Sequence, residues 1–271
     1  MKIAALQMVS STRVEANLEA ARRLIAHAAR DGAELVALPE YFCLMGRTDR
    51  DKLAIAEAPG DGQIQQMLAD AARAHGVWLI GGTLPIRTGD RDRVLNANCI
   101  YAPDGTLAAR YDKIHLFKYD NGREHYDEGC AILAGATPTA FDAGALRVGL
   151  SVCYDLRFPE LYRTLSFTPG QPACDLISVP AAFTHTTGLA HWELLLRARA
   201  VENQCYVIAA AQGGLHENGR RTFGHSMVVD PWGQILALQA EGEGVVLAEL
   251  DPARIASVRA QLPALEHRRV G

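Results

Sequence analysis

Three residues of this chain, Cys153, Glu40 and Lys113, have the types and placements needed for acyl-transfer chemistry. Cys153 follows the apolar run Leu146 to Val152 and precedes Tyr154-Asp155-Leu156-Arg157-Phe158-Pro159-Glu160. A cysteine at the end of a buried strand, facing a turn into a helix, is placed like a nucleophile elbow, where helix-start N–H groups favour the thiolate. Taken alone, a free cysteine is more often a small buried hydrophobe. Glu40 ends the apolar run Leu35 to Leu38 directly after Pro39. The carboxyl ends of core strands are where α/β sheets build their sites, although a lone carboxylate there is ordinarily a solvated charge. Lys113, in Arg110-Tyr111-Asp112-Lys113-Ile114-His115-Leu116, would by itself be an exposed lysine at a strand end. Together the three are complementary. A thiol needs a base, an amide carbonyl needs its oxyanion stabilised, and a leaving amine needs a proton. Carboxylate, ammonium and thiol fill those roles without metal, cofactor or histidine.

Something must hold these three ends together. Val14, Leu18, Ala21, Ile25 and Ala28 recur at helical spacing between Ser10 and Arg30, with Ser10, Ser11 and Thr12 as cap candidates and Gly32 as the stop. A short buried strand, Ala33 to Leu38, follows. Ile64, Met67, Leu68, Ala71 and Ala72 predict a second helix stopped by Gly76, then the apolar run Val77 to Ile80. His191 to Asn203 predicts a third helix, followed by a strand from Cys205 to Ala211. Asn98 to Arg110 and Ser226 to Leu238 are antiparallel hairpins, with Pro103-Asp104-Gly105 and Asp230-Pro231-Trp232-Gly233 at their tips. Asp251-Pro252 opens a last helix running to about Gln261. Leu116 to Pro138 is the one long stretch without a clear element, and it is placed to cover a site. Gly81-Gly82 and Gly213-Gly214 are turns or close-approach points. Helix–strand units in each half, plus a hairpin, predict an α/β protein: two mixed sheets face to face with helices outside.

Composition narrows the functional classes. Of 271 residues, 49% are hydrophobic and 21% charged, enough for a sizeable core. No Pro-, Gly- or Ser-rich linker divides the chain, so residues 1–271 are expected to form one domain. Lys and Arg number 27 against 31 Asp and Glu, a net charge of -4 that provides no electrostatic footprint for nucleic acid and no polybasic membrane anchor. No apolar run approaches the length of a membrane span, and Gln7 interrupts the apolar start too early for a cleaved leader. The six cysteines lack the regular spacing of a disulfide framework, and Cys43, Cys99, Cys130, Cys174 and Cys205 are expected to be core or surface residues. The histidines show no zinc-ligand spacing, so no metal is expected. A reducing, cytoplasmic setting follows.

Leu38-Pro39-Glu40, Tyr111 to Leu116 and Cys153 to Glu160 resemble, in order, the three catalytic motifs of the carbon–nitrogen hydrolase (nitrilase) superfamily. The likeness runs from Ala4-Ala5-Leu6-Gln7-Met8 to His267-Arg268-Arg269. It implies a four-layer αββα sandwich, a hydrolase acting on non-peptide C–N bonds, and a homodimer or higher homo-oligomer. It also implies roles: Cys153 as nucleophile, Glu40 as general base, Lys113 as oxyanion stabiliser, and the N–H of Tyr154 as a second oxyanion donor. A second glutamate belongs after the lysine. Glu128 matches best, with Glu124 as the rival, and its role would be to orient Lys113 or Glu40.

Thr187 to Glu193, Arg197 to Tyr206 and Gly224 to Gly233 resemble the amidase branch that holds deaminated-glutathione amidases and ω-amidases, and Ala211-Gln212-Gly213-Gly214 with Glu217-Asn218-Gly219 leans to the former. The branch implies a small amide substrate bearing a carboxylate. Arg157, four residues after Cys153, could grip that carboxylate through its planar fork. The competing reading is an ion pair of Arg157 with Asp155 or Glu160. Phe183, Thr184 and Thr187, beyond the strand Asp175 to Val179, could line an acyl pocket or simply form a loop. A non-catalytic binding or assembly protein of the same fold is the remaining class.

Overall fold

Alternation along the first strand sets the layering of the molecule. In Lys2–Gln7, Ile3, Ala4, Ala5 and Leu6 are all fully buried. A strand buried on both faces must meet a different layer on each. Ile3 and Ala5 share a core with Leu35, Ala37 and Ile80, and with Val148 and Leu150 of a second sheet. Ala4 and Leu6 join a separate core with Leu18, Leu24 and Ile25 of the helix Val14–Arg30 and Met67 and Leu68 of the helix Gln63–His75. The computed structural model describes residues 1–270.

The first sheet runs Gly244–Glu249, Lys2–Gln7, Leu35–Ala37, Trp78–Ile80, Val94–Tyr101, Leu84–Ile86, with Leu107–Asp112 and Ile132–Leu133 also paired to Val94–Tyr101. Lys2–Gln7, Leu35–Ala37 and Trp78–Ile80 are parallel, and antiparallel strands flank them. The second sheet runs Ala140–Ala143, Leu146–Leu150, Leu176–Ser178, Tyr206–Ala209, Ser226–Val229, Ile235–Gln239, again parallel in the middle. Helices Pro159–Ser166 and His185–Asn203 cover it through Leu161, Leu165, Trp192 and Leu196. The result is an αββα sandwich of two mixed sheets. Glu40 follows a central parallel strand of one sheet and Cys153 a central parallel strand of the other, so the two sheets converge on one site.

Both expected hairpins form, and Asp251 caps the last helix, Pro252–Gln261, by accepting from the Ala253 N–H. Two helix starts differ from expectation. The first helix begins at Val14, behind Arg13 and without a side-chain cap. The Ser10 and Thr12 hydroxyls donate instead to the Phe42 carbonyl and to Glu217. The helix expected at His191 begins at His185, so Thr186 and Thr187 lie in its first turn rather than in a loop. The threonine run has poor helix propensity, but tertiary packing overrides it. Gly188 sits so tightly on Phe223 that a Cβ there would fall 2.3 Å from the Phe223 Cβ. The stretch Leu116 to Pro138 folds into a small hairpin, Lys118–Asp120 with His125–Asp127, then a single 3-10 turn, Glu128–Cys130, before Ile132–Leu133.

Candidate active site

Cys153 sits in the left-handed region, with φ 51°, at the start of a 3-10 turn over Cys153–Arg157. A non-glycine residue there costs of order 1 kcal/mol or more and persists only where its surroundings hold it. The Cys153 N–H donates to the Pro180 carbonyl at 2.9 Å. The Asp155 carboxylate accepts from the Val152 N–H, the Tyr111 hydroxyl and the His115 N–H at 2.8, 2.7 and 3.0 Å. Asp155 thereby ties the elbow to the strand end that carries Lys113. Behind Glu40 the chain is equally tight. Gly82, at φ 63°, approaches so closely that a Cβ would lie 2.3 Å from the Pro39 carbonyl oxygen, which accounts for the glycine pair at 81–82.

Glu40, Lys113 and Glu128 form a buried triad. Lys113 Nζ lies 2.9 Å from Glu40 Oε1 and 2.8 Å from Glu128 Oε2, and all three side chains are buried. Every carboxylate oxygen has a further donor. Glu40 Oε1 accepts from Asn96 Nδ2 at 3.0 Å, and Oε2 from the Ala182 N–H at 2.9 Å. Glu128 Oε1 accepts from the Tyr41 hydroxyl at 2.7 Å, and Oε2 from the Phe117 N–H at 2.8 Å. Glu124 instead accepts from Thr186 Oγ1 at 2.9 Å, so Glu128 is the glutamate that meets Lys113.

Two carboxylates around one ammonium set the local electrostatics. Burial opposes charge on Lys113, but Glu128 and Glu40 outweigh it and hold the ammonium well above the usual lysine range. Burial likewise opposes charge on Glu128, yet Lys113 lowers its pKa overall. Burial first, then Glu40, pushes the Cys153 thiol well above the usual value, with Lys113 opposing. At rest Cys153 is therefore a thiol beside the Glu40 side chain.

Cys153, Glu40 and Glu128 line a small cavity together with Tyr154, Phe183, Thr184, Thr187 and two guanidiniums, Arg157 and Arg220. Thr184 and Thr187 pair their hydroxyls at 2.8 Å. The Arg157 guanidinium carbon lies 5.3 Å from the Phe183 ring centroid and 5.8 Å from that of Tyr154, and Nη1 donates to His191 Nδ1 at 3.2 Å. No ion pair joins Arg157 to Asp155 or Glu160, because the Asp155 carboxylate is occupied by Tyr111, His115 and Val152. The alternative of an Arg157 ion pair with either residue is thus set aside.

Asn96, Tyr41, Phe117 and Arg220 were absent from the expected site. Asn96 had a local signal. The Lys113 N–H donates to the Asn96 carbonyl at 3.0 Å, so counting the hairpin back from its tip would have paired them. Arg220 had none; it arrives from a distant strand connection.

Residues 2–260 match the family described as carbon-nitrogen hydrolase. The deaminated glutathione amidase of Synechocystis sp. is 42% identical over 269 residues, covering 98% of this chain and 97% of that protein. The enzyme of the same name from Mus musculus is 39% identical over 98% of this chain and 83% of its own length. Saccharomyces cerevisiae Nit3, a member of branch 10 of the nitrilase superfamily, superposes with a TM-score of 0.87 at 33% identity, covering 100% of this chain and 97% of that chain. Sequence and fold agree along the chain's length: the protein belongs to the carbon-nitrogen hydrolase family.

Proposed function

We propose that the protein is an amidase that cleaves the side-chain amide of an acidic acyl group through a thioester on Cys153, with deaminated glutathione as its substrate. Deaminated glutathione is glutathione whose amine has been replaced by an oxo group, and its cleavage releases α-ketoglutarate. Glu40 takes the thiol proton as sulfur attacks the amide carbonyl. The developing oxyanion is held by Lys113 and the Tyr154 N–H. Glu40 then returns the proton to the nitrogen, the C–N bond breaks, and the amine leaves a thioester behind. In the second half, Glu40 removes a proton from water as it attacks that thioester. The acid departs and the thiol is restored. Glu128 keeps Lys113 charged and aimed, and balances the ammonium when Glu40 is protonated.

The observation that carries the substrate class is Arg157, a guanidinium on the cavity of Cys153 with no carboxylate partner of its own among the described residues. Relatives named deaminated glutathione amidase support the individual substrate. The ω-amidase reading, with α-ketoglutaramate as substrate, uses the same acyl end, and the small cavity favours it. Steady-state turnover of deaminated glutathione, α-ketoglutaramate, a neutral ω-amide and a nitrile by the purified protein tests the proposal. Turnover only of the neutral amide or the nitrile would overturn it. Labelling of Cys153 by an electrophilic probe without hydrolysis of any amide would point instead to the non-catalytic class. The reading takes residues 1–271 as one domain in a reducing cytoplasm. It also takes the protein as a homodimer or higher homo-oligomer, supported by Leu189 and Leu194, which stand 72% and 68% exposed on the helix His185–Asn203.

A further inference from the structure

Two buried polar groups close to the site take no part in the reaction above: Tyr41, the residue after Glu40, and Lys52. Tyr41 has a left-handed backbone, φ 55°, and its N–H donates to Thr83 Oγ1 at 2.9 Å. So fixed, its hydroxyl donates to Glu128 Oε1 at 2.7 Å. Burial first, then Glu128 and Glu40, push the phenol well above its usual pKa, so it keeps its proton. Lys52 belongs to the short helix Asp51–Ala54 and is 7% exposed. Its Nζ stands 4.4 Å from the Tyr41 ring centroid and 3.0 Å from Asp49 Oδ1. Neither Tyr41 nor Lys52 lines the cavity of Cys153.

An ammonium has three N–H donors. Lys113 meets three carboxylate oxygens: Glu40 Oε1 at 2.9 Å, Glu128 Oε1 at 3.0 Å and Glu128 Oε2 at 2.8 Å. At rest its donors are therefore all engaged, and one must let go before Lys113 can hold an oxyanion. Glu128 Oε1 is the farthest of the three. Releasing a buried carboxylate oxygen is costly when nothing else satisfies it. Here the Tyr41 hydroxyl is already on Oε1, and the Phe117 N–H keeps Oε2 at 2.8 Å.

A cation over the face of a phenol draws electron density from the ring and makes its O–H a stronger donor. We infer that Tyr41 is a positioning residue that, by holding Glu128 Oε1, frees one Lys113 N–H for the substrate oxyanion, and that Lys52 strengthens that hold through the ring. No proton is transferred in this step. Hydrogen bonds are exchanged, the Lys113 N–H passing from Glu128 Oε1 to the oxyanion while the Tyr41 hydroxyl stays. The inference rests on the oxyanion role of Lys113 in the amidase reading. It adds a second buried lysine that acts without meeting the substrate.

Tyr41→Phe keeps the ring and removes the hydroxyl, and an amide and a p-nitrophenyl ester of one acidic acyl group test it. On the amide kcat should fall about ten-fold or more, short of the ~100-fold expected when an oxyanion donor is removed outright. KM should stay within about two-fold, because both half-reactions pass through an oxyanion on the same donors. The ester should lose as much kcat/KM as the amide, since its carbonyl needs the same donor although its leaving group needs no proton. Lys52→Met should lower kcat by about three-fold or more, yet add almost nothing in the Tyr41→Phe background, where the hydroxyl is gone. If Tyr41→Phe does not fold, the same split of kcat from KM in Lys52→Met decides. An unchanged kcat, an ester spared while the amide suffers, or a Lys52→Met loss equal in both backgrounds would overturn the inference and leave the amidase reading intact. A raised KM with a lowered melting temperature would make the pair structural and overturn it too. Failure of wild type to cleave any amide would instead overturn the amidase reading.

Discussion

Lys113 Nζ lies 2.9 Å from Glu40 Oε1, and neither side chain has more than 1% of its surface exposed. Glu128 closes the group from the other side at 2.8 Å. A buried ammonium with two carboxylates is a structural element in its own right, since removing any member leaves charge without compensation.

Lys113→Met should therefore lower stability by about 3–5 kcal/mol, because Glu40 and Glu128 would face each other without a cation. Adding Glu128→Gln should recover part of that loss while turnover stays absent. Urea unfolding of wild type, single and double variants measures both effects. A single variant as stable as wild type would contradict the charge balance described here.

The Cys153 thiol titrates high because of burial and the Glu40 charge. Glu40→Gln removes that charge, so the thiol pKa should fall even as turnover collapses in both half-reactions. Alkylation rate against pH, followed by intact mass in a background where the exposed Cys130 is serine, reads the shift directly. The midpoint should move to lower pH in Glu40→Gln; movement upward would remove Glu40 from the cysteine's surroundings. Cys153→Ala in the same background should show neither turnover nor an acyl adduct, with the fold retained.

Arg157 makes one hydrogen bond to His191 and stacks on Phe183 and Tyr154. Arg157→Lys should cost about 2–5 kcal/mol in kcat/KM on acidic amides, since lysine lacks the planar fork. Neutral amides of the same length should lose far less, with little change in melting temperature. Equal losses on both classes, with a lowered melting point, would make Arg157 structural.

His216 is buried between the Ser10 carbonyl and the Thr222 hydroxyl. Burial pushes its pKa down to about 4, from an ordinary 6.5. Between those values the unfolded chain holds a proton that the folded chain does not, so stability rises with pH across this window. The contribution lost on acidifying from pH 7 to below 4 is about 3 kcal/mol. His216→Gln, which can still donate and accept, should flatten the pH dependence of unfolding between pH 7 and 5 by about 2 kcal/mol. An unchanged slope would show that His216 does not carry it.

Much of this molecule was legible in the order of its residues. Short apolar runs, period-3.6 patterning, glycine stops and the Asp251-Pro252 cap are local signals, and they located the layers because both sheets are assembled from short units that each carry their own pattern. Cys153, Glu40 and Lys113 each stand at the end of a patterned element, but only their complementary chemistry and the family resemblance of their motifs singled them out. What tertiary structure alone decided is which groups meet there. Glu128 rather than Glu124 reaches Lys113 because the hairpin Lys118–Asp120 with His125–Asp127 aims the following 3-10 turn inward. Arg157 turns to His191 rather than to Asp155, whose carboxylate is engaged by Tyr111, 44 residues away in sequence. Asn96, from a strand, and Arg220, from the connection before Arg221–Phe223, converge on Glu40 and on Ala182. Periodicity records which face of an element is buried. It does not record what the buried side chain touches, because that partner lies at a sequence distance set by sheet order and register.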